Sequence, residues 1–293
     1  MLKRQNLLYI TLGLLILIFS LMIFKNYSKN FELKKEEKKK QELVKNFNLS
    51  NEINEFLNKN NLENQLIAHA GGGINELTYT NSLEALNQSI SNGFKLIELD
   101  LKQTSDEKLV AVHDWKSFKR KTNCCDNLKF PIDHKTFNDQ KISNLNLLDY
   151  KKINEIFSEN KDLILVTDKT NNFELINNQL NFDASRIIVE IFGQQNYFKA
   201  IQSGIKNPMF SANSNDIDFI KKYNVKLIAI HTSELQNHYE KYLELKNNGV
   251  LIFVYSSNEI NFIKKYQSVA TAFYTDFLSP ASPICKASNC KTY

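Results

Sequence analysis

Two acidic residues lie within one apolar segment of the sequence. The stretch IELDLKQTSDEKLVAVHD, residues 97–114, places Glu98 and Asp100 in an otherwise apolar run. Burying a carboxylate is costly unless it is paired with a cation or a donor. Because side chains two residues apart on a strand share a face, these two acids point the same way, about 6–7 Å apart. The pair suits a divalent cation, although a solvated edge strand with both acids facing water is the competing interpretation.

Further polar residues stand at the C-terminal ends of other apolar runs. His69 ends QLIAH, Asp168 ends DLILVTD, Asp276 ends TAFYTD, and His113 ends the run that follows Asp100. Histidine titrates near neutral pH and can give or take a proton, whereas carboxylates bind hard cations such as Ca²⁺ and Mg²⁺. If these runs are parallel strands, their polar ends meet at one face and form one site of metal ligands and acid–base groups.

The elements that would position these residues alternate between strand-like and helix-like patterns. Eight apolar runs qualify as strands: 65–69, 95–101, 162–168, 186–192, 208–211, 226–230, 250–255 and 271–276. This alternation predicts an α/β fold, the (β/α)8 or TIM barrel, whose active site lies at the C-terminal ends of the strands. A doubly wound open sheet is the alternative, but no Gly-x-Gly-x-x-Gly fingerprint supports it. Residues 115–147 lack a parallel-strand pattern and are predicted to be an insertion over the active face.

The N-terminal region is predicted to anchor the protein in a membrane. Residues 7–24 form an uncharged run of 18, just long enough to span a bilayer. A cleaved signal peptide is the alternative, but no small-x-small cleavage site follows the run. The predicted domains are a cytoplasmic tail and transmembrane anchor (1–24), a charged stalk or linker (25–61), a barrel domain (62–285) and a C-terminal tail (286–293).

The charge distribution argues against nucleic acid as a partner. The formal net charge is +5, and residues 1–61 carry 11 Lys or Arg against 6 Asp or Glu. The remaining 26 basic residues are balanced by 26 acidic ones. The excess of positive charge therefore belongs to the N-terminal segment, and the predicted barrel has no electrostatic footprint for nucleic acid.

The predicted barrel domain is expected on the extracytoplasmic side of a bacterial inner membrane. Long domains translocate with little regard to flanking charge. The chain also has four cysteines, Cys124, Cys125, Cys285 and Cys290. An even number of cysteines fits an oxidising compartment. Two observations stay open against this: the lysines after residue 24 favour a cytoplasmic domain by the positive-inside rule, and four unpaired thiols are equally compatible with the sequence.

Three segments together resemble the glycerophosphodiester phosphodiesterase family: AHAGGG, TYTNSLEAL and NGFKLIELDLKQTSDEKLVAVHDW. That family has a histidine near the end of the first strand, then a Glu-x-Asp, then a His-Asp pair. In this chain these are His69, Glu98 with Asp100, and His113 with Asp114. The resemblance spans residues 66–280 and extends to the related phosphatidylinositol-specific phospholipases C. It implies a TIM barrel that hydrolyses phosphodiesters with a bound divalent cation.

The resemblance also implies roles for individual residues. His69 and His113 share the general acid and general base roles. Glu98, Asp100 and Asp168 hold a Ca²⁺ or Mg²⁺ ion between them.

Three further residues are expected to contact substrate, and each has a competing interpretation. Glu190 is a lone acid in the strand RIIVEIF and could instead form a salt bridge. Trp115 follows the His-Asp pair and could instead pack inside the protein. Lys169 follows Asp168 and approximates the family's Glu-x-Lys, but strand alternation turns it outward unless a bulge intervenes.

Two other departures affect the expected phosphate site. Ala70 stands where the family has an arginine that contacts the phosphate, and Thr80 replaces the acid before the Asn-Thr pair.

The expected function is hydrolysis of glycerophosphodiesters, or of envelope lipids or polymers that contain glycerol phosphate. The alternative is an inactive barrel that binds a phosphorylated ligand at the membrane, and metal-dependent hydrolysis separates the two.

Overall fold

The computed structural model describes residues 2–59, 65–122 and 128–281. Within residues 2–20 it describes the backbone and, of the side chains, only that of Phe19. The four cysteines and the predicted C-terminal tail, residues 286–293, lie outside the described residues. The predicted end of the barrel domain at residue 285 lies outside them as well.

Eight parallel strands form a closed barrel. Numbered along the chain, the strands are β1 (Leu66–Ala68), β2 (Leu96–Gln103), β3 (Leu109–Ala111), β4 (Lys141–Ile142), β5 (Leu145–Asn146), β6 (Ile164–Asp168), β7 (Ile187–Phe192), β8 (Asn207–Ser211), β9 (Leu227–His231), β10 (Leu251–Tyr255) and β11 (Ala272–Thr275). The barrel runs in the order β1, β11, β10, β9, β8, β7, β6, β2, and β2 pairs with β1 to close it. The predicted TIM barrel and all eight predicted strands are confirmed, and the open sheet is excluded.

Helices follow the strands along the chain. They are α1 (Leu2–Lys45), α2 (Asn51–Leu57), α3 (Leu83–Ser91), α4 (Trp115–Thr122), α5 (His134–Asn138), α6 (Tyr150–Glu159), α7 (Phe173–Gln179), α8 (Gln194–Gln202), α9 (Ile217–Lys222), α10 (Thr232–Asn237), α11 (Tyr239–Asn247) and α12 (Ile260–Tyr266). Several begin at a side-chain cap that satisfies a free backbone N–H. Ser82 accepts from the Ala85 N–H at the start of α3, and Asp149 accepts from the Lys152 N–H at the start of α6.

The barrel strands are buried on both faces. All residues of β1 and β6 are buried, as are the first six residues of β2. Parallel strands covered by helices read as nearly continuous apolar runs for this reason. Glu98 and Asp100 depart from that pattern on β2, so their carboxylates need a compensating partner inside the barrel.

The insertion at residues 115–147 is a small structured unit. It contains α4, α5 and the antiparallel pair β4–β5. Phe118, Ile132 and Phe137 form an apolar cluster with Val110 and Val112, which follow β2. Trp115, Phe130 and Leu147 pack against this cluster. The insertion therefore shares an apolar core with β3 and the residue that follows it.

The chain divides into two compact units, one ending at Phe47 and one beginning at Asn48. The second unit includes α2, whose Ile53 and Leu57 are buried. Ser50 fixes the start of α2: its N–H donates to Asn207 Oδ1 (2.9 Å) and its hydroxyl donates to the Ser185 carbonyl (2.7 Å). The segment predicted as a stalk, residues 25–61, is therefore divided between the two units.

The first unit consists mainly of α1, which includes the predicted stalk up to Lys45. Lys40 and Glu36 form an i,i+4 ion pair at 2.7 Å on this helix. Among the residues that the structure describes fully, no helix is long and apolar enough to cross a membrane. The predicted span, residues 7–24, lies mostly outside those residues and stays a prediction.

Candidate active site

A cavity of about 280 Å³ opens at the C-terminal ends of the barrel strands. Seven of the eight predicted site residues line it: His69, Glu98, Asp100, His113, Asp168, Lys169 and Glu190. The sequence analysis did not single out six other lining residues: Tyr79, Phe192, His231, Tyr255, Ser256 and Tyr274. One cavity therefore gathers nearly all the residues with predicted chemistry.

Three carboxylates converge at the floor of this cavity. Asp100 on β2 and Asp168 on β6 are direct partners in the strand register, and Glu98 lies one repeat earlier on the same face of β2. One oxygen from each lies within 4.8 Å of the others. The three residues are 3 %, 1 % and 6 % exposed in chain order. Because β2 pairs with β1 and β6, the solvated edge strand is excluded.

The carboxylates have oxygens left for a cation. Glu98 Oε1 and Asp168 Oδ1 are buried without a hydrogen-bond partner among the described residues. The second Glu98 oxygen accepts from the Ala70 N–H at 2.7 Å. Asp100 Oδ2 accepts from Asn81 Nδ2 at 2.8 Å, and Asn81 Oδ1 accepts from the Asp100 N–H at 3.0 Å. Buried orphan oxygens on oriented carboxylates fit a site for a hard divalent cation.

The electrostatics of the three carboxylates point the same way. Burial raises the pKa of Glu98 well above its ordinary value, and Asp100 and Asp168 raise it further. Burial and Asp100 do the same for the pKa of Asp168, with Lys169 opposing them. A divalent cation would remove this repulsion by neutralising the group.

Lys169 points into the cavity, and the alternative in which strand alternation turns it outward does not apply. Its φ is +62°, a left-handed conformation directly after the end of β6, so strand alternation no longer governs its direction. Its ammonium forms an ion pair with Asp168 and lies 3.5 Å from Asp100 Oδ1. Burial opposes its charge, but Asp168 and Asp100 outweigh burial and raise the pKa of Lys169.

Each predicted catalytic histidine is held by a carboxylate. His69 Nδ1 lies 3.1 Å from Asp276 Oδ1, and Asn258 Nδ2 donates to the other Asp276 oxygen at 3.1 Å. His113 Nδ1 lies 2.9 Å from Asp114 Oδ2. An Nδ1–H that donates to a carboxylate leaves Nε2 free to exchange protons and stabilises the protonated ring.

Tyr79 joins the two histidines and was not recognised from the sequence. Its ring meets the His69 ring edge-on at 4.5 Å and the His113 ring at 5.0 Å between centroids. Its φ is +53°, which is rare for a bulky residue. Burial raises the pKa of Tyr79, and Asp276 and Asp100 raise it further, so the phenol keeps its proton.

Glu190 and Trp115 have different positions. Val189 on β7 is the register partner of Thr167 on β6. The next residues along these two strands, Glu190 and Asp168, are therefore neighbours, and both line the cavity. Burial raises its pKa. Trp115 packs on Phe118 and Phe130, at 5.6 and 6.0 Å between ring centroids, and does not line the cavity. Trp115 is therefore partly buried against the apolar cluster of the insertion and lies outside the cavity lining, and its contact with substrate stays a prediction.

The raised carboxyl pKa values predict how pH and metal affect stability. The folded, metal-free protein binds more protons at Glu98 and Asp168 than the unfolded chain does. Its unfolding free energy should therefore fall as pH rises from about 4, the ordinary carboxyl pKa, through the raised values. At pH 8, Ca²⁺ at 100 times its Kd should raise Tm by about 5–10 °C, and by less at pH 5, where protons compete.

Thermal unfolding at both pH values, with chelator and with Ca²⁺, checks this. Glu98→Gln should flatten the pH dependence in chelator because it removes one of the repelling charges. Asp162→Asn is the matched control, since Asp162 forms an ion pair with Lys95 on the surface. An equal Ca²⁺ effect at pH 5 and pH 8 would contradict the assignment of these carboxylates as ligands.

Comparison with known proteins shows the family to which the chain belongs. The model of the glycerophosphoryl diester phosphodiesterase family matches residues 69–281, which is most of the chain. The chain belongs to this family and is a hydrolase of the glycerophosphodiester phosphodiesterase type. Among curated proteins, none matches the chain.

Solved structures share the fold at low sequence identity. A glycerophosphodiester phosphodiesterase from Parabacteroides distasonis is 18% identical with a TM-score of 0.59, covering 72% of this chain and 92% of that one. A glycerophosphodiester phosphodiesterase from Thermotoga maritima is also 18% identical with a TM-score of 0.59, and the match covers 72% of this chain and 93% of that one. A phosphodiesterase from Oleispira antarctica was solved with the product sn-glycerol-3-phosphate. It is 17% identical with a TM-score of 0.57, and the match covers 72% of this chain and 92% of that one.

Proposed function

We propose that the protein is a metal-dependent hydrolase of glycerophosphodiesters that uses His69 and His113 as its acid–base pair. The observation that carries this is one cavity in which two carboxylate-bound imidazoles stand beside three buried carboxylates, two of which, Glu98 and Asp168, have an oxygen without a hydrogen-bond partner among the described residues. Phosphodiester hydrolysis needs proton transfer at both the entering and the leaving oxygen. It also needs positive charge next to the phosphoryl oxygens.

The three acids would hold the cation. Glu98, Asp100 and Asp168 are oxygen ligands of the type that Ca²⁺ and Mg²⁺ prefer. A bound cation supplies charge stabilisation to the phosphoryl oxygens. It also makes anion binding possible, since the cavity otherwise presents these three carboxylates and Glu190 against the ammonium of Lys169.

The histidines would carry the protons. One imidazole Nε2 takes a proton from the attacking group, which is water or the neighbouring hydroxyl of the substrate glycerol. As the new P–O bond forms, the other imidazole, already protonated, donates to the leaving alkoxide as the old P–O bond breaks. Attack by the glycerol hydroxyl gives a cyclic phosphate, which water then opens while the two histidines exchange their roles. Asp276 and Asp114 keep Nδ1 protonated and stabilise each ring while it is charged.

Glycerol phosphate is the part of the substrate that the similarity to known structures favours. The relative from Oleispira antarctica was solved with sn-glycerol-3-phosphate as its product. A cavity of about 280 Å³ suits a group of this size and leaves a larger alcohol outside the mouth. The alcohol could therefore belong to a lipid or to an envelope polymer.

An assay of the full-length protein tests this proposal. A panel of glycerophosphodiesters with different alcohols is offered with Ca²⁺, with Mg²⁺ and with chelator. Release of sn-glycerol-3-phosphate or free alcohol should require metal and should be absent from a His69→Ala, His113→Ala double variant purified in parallel. Tight metal-dependent binding of sn-glycerol-3-phosphate without turnover of any panel member would instead indicate a non-catalytic binding module.

We also propose that residues 7–24 anchor the barrel to the outer face of the inner membrane. The support is the uncharged run of 18 residues and the charged helical segment that follows it. Protease added to intact spheroplasts should cut between α1 and α2 and release a C-terminally tagged barrel into the supernatant. Release only after lysis would place the barrel in the cytoplasm. A soluble tagged protein before protease treatment would exclude the anchor.

A further inference from the structure

Among the described residues, few groups that line the cavity can hold the phosphoryl oxygens. Lys169 is the only lysine or arginine among those described lining residues, and its ammonium is paired with Asp168 and close to Asp100. Ala70, next to His69, has no side-chain donor, and its N–H is committed to Glu98 Oε2. A donor to the phosphoryl group that does not compete with these carboxylates has to come from another part of the wall.

Tyr79 is placed to be that donor. Its ring touches both imidazoles, so a group that receives and gives protons at the two histidines must lie next to it. The residue lines the cavity together with both histidines. A neutral phenol with its proton in place donates well to an anionic oxygen.

The backbone holds Tyr79 in this position at a conformational cost. A tyrosine at φ +53° is strained, and such strain persists only where the surroundings impose it. On one side, Lys121 Nζ donates to the carbonyls of Thr78 (3.1 Å) and Tyr79 (2.8 Å). On the other side, the Asn81 N–H donates to the Ala70 carbonyl at 3.1 Å.

Lys121 connects this loop to the insertion. It lies on α4, in the same segment as His113 and its partner Asp114. Its ammonium also lies 5.9 Å from the centre of the Tyr79 ring, in the range of a cation–π contact. One lysine therefore fixes the position of the Tyr79 loop relative to the segment that carries the second histidine.

We propose that the Tyr79 hydroxyl binds a phosphoryl oxygen of the substrate, and that Lys121 is the positioning residue that holds Tyr79 there. This inference rests on the proposed phosphodiester hydrolysis and adds to it a phosphate-binding group. It provides from the loop the contact that the side chain of Ala70 cannot make.

Tyr79→Phe tests the hydroxyl alone, because it keeps the ring between the imidazoles. Loss of one hydrogen bond to a charged group should lower kcat/KM by about 10–100-fold. With saturating Ca²⁺, calorimetry should show at least a tenfold weaker Kd for sn-glycerol-3-phosphate, whereas the Ca²⁺ Kd and Tm should match wild type. Tyr150→Phe removes a hydroxyl from a tyrosine outside the cavity and is the matched control.

Lys121→Met tests the positioning role. It should weaken sn-glycerol-3-phosphate binding about tenfold and leave the Ca²⁺ Kd within twofold, and Lys121→Arg should restore part of the loss. Combined with Tyr79→Phe, it should add little, because residues that act through one contact are not additive. Lys116→Met, an exposed lysine on the same helix, is the control.

The outcomes separate this inference from the proposed function. If wild type hydrolyses glycerophosphodiesters but Tyr79→Phe matches it within twofold in kcat/KM and in product binding, the phosphoryl contact is refuted. If the losses from Tyr79→Phe and Lys121→Met are fully additive, Lys121 does not act through Tyr79. If wild type shows neither metal-dependent turnover nor binding of sn-glycerol-3-phosphate, the proposed function itself fails.

Discussion

His69→Ala is expected to lower kcat by about 10²–10⁴-fold, the usual contribution of a general acid or base. The imidazole is nearly buried, and its Nδ1 is fixed by Asp276, which Asn258 holds in turn. Alanine leaves no group that can exchange the proton at this point of the cavity. The Ca²⁺ Kd should stay close to wild type because His69 does not belong to the carboxylate group that would hold the ion.

The measurement is steady-state turnover on the best panel substrate, together with Ca²⁺ calorimetry on the same preparations. His238→Ala is the matched control, since His238 does not line the cavity. The turnover of Asp276→Asn should lie between those of wild type and His69→Ala, because the imidazole remains but loses the carboxylate that stabilises its charged form. Full turnover by His69→Ala would remove this residue from the mechanism.

The sequence was sufficient for the barrel because two signals agreed. Eight apolar runs alternated with amphipathic segments, and the polar residues fell at one end of those runs. In parallel strands that periodicity fixes both the fold and the face that carries the site. Asp100 and Asp168 could be expected to meet because consecutive barrel strands bring their C-terminal ends together, and their register in the structure is direct.

The features that sequence reasoning missed depend on backbone conformation or on long-range contacts. Strand alternation failed for Lys169 because the chain turns left-handed directly after β6. The backbone of Tyr79 is also in the left-handed conformation, and a sequence pattern does not reveal one such residue in a loop. Asp276 and His69 follow the last and the first strand of the barrel, which are neighbours in space, but the two residues are 207 positions apart in sequence. The lone tryptophan suggested a substrate contact, but the aromatic cluster of the insertion provides its partners.

Asp100→Asn is expected to weaken Ca²⁺ binding by at least about 100-fold, more than the loss of an outer-shell partner. Asn81 donates to one Asp100 oxygen, and an amide oxygen can accept the same hydrogen bond. The amide NH₂ would then occupy the position of the other oxygen, which lies 3.5 Å from the Lys169 ammonium. A donor at that position cannot ligate a cation, so the fold should persist while the site loses a ligand.

Calorimetry should show the weaker Kd, and excess Ca²⁺ should partly restore turnover because the histidines are intact. Asp162→Asn makes the same chemical change at a surface ion pair and should leave both quantities unchanged. In chelator, Asp100→Asn should raise Tm, because Asp100 contributes to the repulsion that raises the pKa of Glu98 and Asp168. Wild-type Ca²⁺ affinity in Asp100→Asn would mean that the three carboxylates do not share an ion. The cavity would then have to bind an anion with four carboxylates facing one ammonium, which electrostatics opposes.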